Sequence, residues 1–148
     1  MVKKKVMQKK IINSFMKNTE KMYTNKIVKI ADKLNANFEG FTIGTEGEKP
    51  KKRYIVGGYT NNKIKGLKYL SFAWCPANIR GQKIFNFVEN YFLYASCNPV
   101  FFGTWYDGKL IYLDICKDFD DLGEALKQGK ENKQICIYDQ LKEKEIYI

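Results

Sequence analysis

An Asp107-Gly108 pair set between two alternating apolar runs constrains this chain more than any other feature. Asp-Gly between strand-like segments is the strongest short-range hairpin signal, because the two-residue turn needs positive φ at both centres. Ahead of the pair, Phe102, Thr104 and Tyr106 alternate with Phe101, Gly103 and Trp105. After it, Leu110, Tyr112 and Asp114 alternate with Ile111, Leu113 and Ile115. Side chains two apart share a sheet face, so Ile111, Leu113 and Ile115 are expected on the buried side together with Trp105. Lys117, Asp118, Asp120 and Asp121 are poor strand formers and mark the expected end of the second strand. Asp121 and Glu124 have capping-box spacing, which starts a helix with Leu122, Ala125 and Leu126 toward the core. Gly129 and Asn132 lie where a left-handed helix end is expected. Two more strands, over 134–138 and 145–148, complete the pattern of hairpin, helix, strand, strand.

Upstream, Ile12, Phe15, Met16, Tyr23, Ile27, Ile30, Ala31 and Leu34 recur at helical spacing over the first 35 or so residues. Asn18-Thr19-Glu20 and Thr24-Asn25 are places where this helix could divide in two, with Thr24 or Asn25 as a cap, and residues 1–5 are expected to be disordered. Lysines stud this segment; a helix packed on a sheet with a solvated lysine face is the expectation, a membrane-surface or nucleic-acid helix the other reading. Residues 37–44 and 53–57 read as a hairpin with a long polar connection, and 69–74 as a further strand. Residues 81–95 carry Ile84, Phe87, Val88, Tyr91 and Ala95 at helical intervals, a core face rather than a base-stacking platform. The expected fold is a single α/β domain of the α+β type over 1–148. Its mainly antiparallel sheet carries N-terminal, middle and C-terminal helices on one face, with Trp105, Leu113, Ile115, Ile135 and Ile137 in the core.

An apolar content of 45% with 15% aromatics is that of a packed protein. The longest apolar run, 91–96, is far short of the roughly 18 residues that span a bilayer, and charges interrupt the N-terminus where a signal peptide would need an apolar stretch. Cytoplasmic residence and no membrane partner are the expectations. Cys75, Cys97, Cys116 and Cys136 include no Cys-x-x-Cys pair and there is no histidine, so the cysteines read as small free hydrophobes. Without histidine, catalysis would fall to carboxylates, Lys, Tyr or Cys. The expectation is a protein that is not an enzyme and holds no cofactor.

Charge is lopsided: residues 1–68 hold 17 Lys and Arg against 5 Asp and Glu, and residues 69–148 hold 9 against 11. A basic half is the footprint of a surface that meets a polyanion or an acidic protein face. Lysine outnumbers arginine 24 to 2, which disfavours base-specific reading by arginine forks. Lys49, Lys51, Lys52 and Arg53, with Lys63, Lys65 and Lys68, are the expected contact residues. Asp107, Asp114, Asp118, Asp120, Asp121 and Glu124 form the one carboxylate concentration; a metal-dependent nuclease built on it is a second alternative.

GFT at 40–42, Gly47, YIVGG at 54–58, GTWYDGKLIYLD at 103–114, EAL at 124–126 and NKQICIYD at 132–139 succeed one another. This order resembles a family of small proteins of phages, prophages and other mobile elements, over about residues 35–148. The resemblance marks Trp105, Asp107, Tyr112, Asp114, Gln134 and Asp139 as motif positions and assigns them no role. It implies an accessory protein that inhibits a host defence by binding, an anti-CRISPR inhibitor of a Cas nuclease with its guide RNA being the leading form. A net charge of +10 argues against DNA mimicry. An RNA- or DNA-binding accessory protein using the basic half is the alternative.

Overall fold

The computed structural model describes residues 2–59 and 70–148. In chain order the elements are α1 (Val2–Ala36), β1 (Gly40–Ile43), β2 (Tyr54–Val56), β3 (Leu70–Ala73) and α2 (Ala77–Ser96). There follow β4 (Phe101–Tyr106), β5 (Leu110–Phe119), α3 (Leu122–Glu131), β6 (Cys136–Asp139) and β7 (Lys144–Tyr147). Every strand pairing is antiparallel, in the order β1-β4-β5-β2-β6-β7, with β3 also on β5. The result is an α+β fold with helices packed on a curled antiparallel sheet, as the sequence pattern implies.

The hairpin forms, but its turn is centred one residue on, at Gly108-Lys109, with Asp107 N donating to Leu110 O at 3.2 Å. Tyr106 pairs with Ile111, and Asp107 is not among the residues with positive φ, whereas Gly108 is, at 94°. The Asp107 side chain builds the turn instead, Oδ1 accepting from Lys109 N at 2.8 Å and Leu110 N at 2.7 Å. This register places Phe102, Thr104 and Tyr106 opposite Ile115, Leu113 and Ile111, and Trp105 opposite Tyr112. Trp105 is therefore on the face away from the buried Ile111, Leu113 and Ile115, not with them. Parity requires this: a turn centred at Asp107-Gly108 and one centred at Gly108-Lys109 both pair Trp105 with an even-numbered residue, so it can never share the face of the odd-numbered isoleucines and leucine. Ile135 is also outside the core, 60% exposed just ahead of β6, while Ile137 is buried.

β5 runs on through Phe119 rather than stopping at Lys117, because β2 supplies partners at Lys117, Asp118 and Phe119. The Asp118 carboxylate accepts the main-chain N–H groups of Lys51 and Lys52, both at 3.0 Å, so a residue that reads as a terminator serves as a tie. Thus one edge of β5 carries β4, and the other is shared by β3 at 110–113 and β2 at 117–119. Between them the Gly57-Gly58-Tyr59 segment crosses the gap, with Tyr59 N donating to Ile115 O at 3.2 Å.

α2 buries Ile84, Phe87, Val88, Tyr91, Phe92 and Ala95 against the sheet's convex face and α1. Arg80 is buried beside them, with no carboxylate partner among the described residues. Its guanidinium donates to Asn35 and to the Cys75 carbonyl and lies 4.1 Å from the Phe38 ring centre. The carbonyl end of a long helix favours such a cation. α3 begins as its capping signal implies, Asp121 accepting from Glu124 N at 2.8 Å. Ala125 is buried and Leu126 packs on the core, but Leu122 is 39% exposed. The left-handed residue after the helix is Lys133, φ 56°, rather than Gly129 or Asn132; Gly129 lies within the helix, where an added Cβ would meet Ile148 and Ile137.

α1 is one unbroken helix: neither Asn18-Thr19-Glu20 nor Thr24-Asn25 interrupts it. The segment has no Gly or Pro, and Thr19 Oγ1 donates to the Phe15 carbonyl at 3.0 Å, a bond compatible with helix. Residues 2–5, expected to be disordered, are helical as well. Among the described residues no helix is long and apolar enough to cross a membrane.

Candidate functional site

Those of the expected basic contact residues that the structure describes are put to separate uses. Lys51 and Lys52 are held by their main chain to Asp118, with their side chains exposed. Arg53 is committed elsewhere: Nε and Nη2 donate to Asp139 at 3.0 and 2.9 Å, and its guanidinium lies 5.1 Å from the Tyr54 ring centre. Asp139, 1% exposed, also accepts from Leu141 N and Lys142 N, and the Arg53 bond above all brings its carboxyl down to about 2. Lys49 is among the residues lining a cleft described below. Lys63, Lys65 and Lys68 lie outside the described residues.

The carboxylates are equally dispersed. Asp107 closes its turn and accepts from the Tyr112 hydroxyl at 2.9 Å; the N–H groups of Leu110 and Lys109 hold its carboxyl below the usual range. Asp118 ties the β1–β2 connection and Asp121 caps α3. Asp114 belongs to the opposite sheet face from the core leucine and isoleucines of β5. Among the described residues no three His, Cys, Asp or Glu side chains are grouped to hold a metal.

Two surfaces remain that the sequence pattern does not bring out. The first is the concave face of the curled sheet, a cleft of about 780 Å³. Strand alternation sends Ile55, Trp105, Tyr112, Asp114 and Tyr138 to this side, and Gln134 reaches it from the α3–β6 connection. Trp105 and Tyr112 stack with ring centres 5.4 Å apart and planes 27° from parallel. Beside them the floor is glycine. A Cβ on Gly57 would lie 2.2 Å from Asp114 Oδ2 and 3.1 Å from Gln134 Oε1, so only a residue without one admits those two oxygens over the backbone. Asp114 Oδ1 accepts from Gly58 N at 2.8 Å and Ile115 N at 2.9 Å; Oδ2 accepts from Gly58 N alone, at 2.8 Å. Burial pushes the Asp114 carboxyl up to about 7 against the lowering effect of those N–H groups.

The second surface is the leading part of α1. Burial begins at Ile27; Ile27, Ile30, Ala31 and Leu34 enter the core, and Tyr23 meets the Phe92 ring edge-on at 5.5 Å. Ahead of that point Met7, Ile11, Ile12, Phe15, Met16 and Met22 are all more than half exposed, Phe15 by 69%. At 100° per residue these apolar side chains, with Tyr23, span one half of the helix, and Lys9, Lys10, Lys17 and Lys21 occupy the other. The expectation of a helix packed along its whole length holds for the second half of α1 only. Periodicity cannot tell the two halves apart, since an amphipathic pattern reads the same whether its apolar side is covered or bare.

No protein family, curated protein or solved structure matches this chain.

Proposed function

We propose that this is a non-enzymatic accessory protein of a mobile element that inhibits a host defence by binding one of its proteins. A CRISPR-associated nuclease complex is the leading target. The observation that carries the reading is the bare half of α1: roughly 24 Å of helix at 1.5 Å per residue, apolar on one side and lysine-bearing on the other. An amphipathic helix of this kind lays its apolar side into a groove, anchored by residues four or seven apart, here Ile11, Phe15 and Met22. Its lysines favour a groove rimmed by Asp and Glu, and the same charges oppose pairing with a second copy of itself. Phosphates alone would satisfy the lysines and leave Met7, Ile11 and Phe15 in water, so a protein groove is favoured over nucleic acid. The family resemblance supplies the biological setting.

The test is capture of purified defence nucleases, each with and without its guide RNA, by the full chain and by a Phe15→Asp, Ile11→Asp variant. Binding that survives removal of RNA and is lost in the variant supports the reading. Binding that needs RNA, and falls steeply with salt at about 0.9 log unit per phosphate contact on a duplex, favours the nucleic-acid alternative. Binding to anionic vesicles with no protein target, or phage plating unchanged by expression in a defended host, sinks it.

A further inference from the structure

The cleft on the concave face has a chemical character opposite to the rest of the molecule. The chain is +10 overall, yet Glu39, Asp114, Glu143 and Glu145 line the cleft against Lys49 and Lys133. Its volume of about 780 Å³ is in the range of small-molecule sites. Within it a stacked aromatic pair adjoins two convergent acceptors, Asp114 Oδ2 and Gln134 Oε1, both over Gly57. Gln134 Nε2 donates to the Asn132 carbonyl at 3.2 Å, which fixes Oε1 as the end turned toward Asp114. Asp114 and Tyr112 are two residues apart on β5, about 7 Å along the strand, and Gly103 opposite Asp114 makes room for the Cys116 thiol, which a Cβ there would meet at 2.7 Å.

We propose that this cleft binds a monosubstituted guanidinium, its plane against Trp105 and Tyr112 and its N–H edge bridging Asp114 and Gln134. A guanidinium is flat, carries only donors and stacks on aromatic faces, so it matches a site of acceptors and π-surface better than an ammonium does. Guanine has a similar N–H edge, but a nucleotide would bring phosphate into a cleft where carboxylates outnumber lysines. The cleft is larger than the head group, so the remainder of an arginine or agmatine fits within it.

Occupancy requires Asp114 ionised, so affinity must rise with pH through neutrality. The groups facing Asp114 do not confuse that profile. Burial first, and the Asp114 charge second, push Tyr91 from α2 and Cys116 from β5 above their ordinary values. The other charged groups of the cleft are Glu39 from β1's approach, Glu143 and Glu145 from the β6–β7 hairpin, Lys49 and Lys133.

Titration of the full chain with agmatine and with N-acetyl-arginine amide, followed by calorimetry and by Trp fluorescence, tests the assignment. Saturable binding of either is expected, tightening by about tenfold or more between about pH 5.5 and about pH 8. Agmatine alone binding would indicate a free metabolite, and the amide binding as well would indicate an arginine side chain of a protein; both support the guanidinium site. Trp105→Leu should weaken binding, and Asp114→Asn, which retains an acceptor for Gly58 N–H, should abolish its pH dependence. If Asp114→Asn does not fold, the wild-type pH profile and Trp105→Leu still decide. Butylamine or guanosine binding as tightly as agmatine, a pH-independent affinity, or no binding up to about 10 mM overturns the proposal.

Discussion

Two aspartates pull the stability of this protein in opposite directions with pH. Asp114 has its carboxyl raised by burial from 3.8 to about 7, so the folded state holds its proton more tightly than the unfolded chain. Stability from this group is full below about pH 4 and declines as pH rises toward 7. Asp139 is lowered to about 2, chiefly by Arg53, so its contribution is present above about pH 4 and is lost as pH falls through 2. Denaturation midpoints measured across pH should therefore fall on both sides of about pH 4. Asp114→Asn should flatten the neutral side and Asp139→Asn the acid side, and a variant that leaves both limbs unchanged contradicts the assignment. The face of the hairpin is testable in the same way. Leu113 is fully buried on the convex side, so Leu113→Ala should cost about 2–5 kcal/mol, whereas Trp105→Ala should cost about 1 kcal/mol. Equal losses would place Trp105 back in the core.

At the scale of elements, what the sequence discloses depends on whether the forces are local. The hairpin, the α3 cap and the alternation of β5 are set by neighbouring residues, and all three form. The phase of Trp105 was also within reach, because counting parity across the turn settles it. The extension of β5 was not: Asp118 ends a strand by propensity, and its pairing with the distant Ile55 of β2 makes it a strand residue, with Lys51 N and Lys52 N donating to its carboxylate. The cleft is illegible for the same reason, assembled from β2, β4, β5 and β6 with Gln134 reaching in from a connection. The free half of α1 raises a different point. Helix continues there by propagation from the packed half, without a new nucleation cost and without tertiary burial. Removing residues 1–22 should consequently leave the melting temperature within a few degrees of the full chain while abolishing capture of the target. A large loss of stability on truncation would mean that those residues are covered after all.

Across the whole molecule, the sheet is held together unevenly. β4 and β5 share six paired positions, but β6 and β7 reach the rest of the sheet only through β2, with Tyr54 opposite Asp139 and Ile55 opposite Tyr138. Arg53–Asp139, and Gln140 donating to the Pro50 and Lys52 carbonyls, reinforce that join. A join this narrow favours sub-global opening, in which one cooperative unit detaches while another stays shut. In native-state hydrogen exchange, the amides of β6 and β7 should trade protons as a group, at a lower opening energy than those of β4 and β5, and Arg53→Ala should widen the difference. The narrow join is thus a seam: the C-terminal hairpin is a flap on the β5 spine, breathing on a timescale of its own.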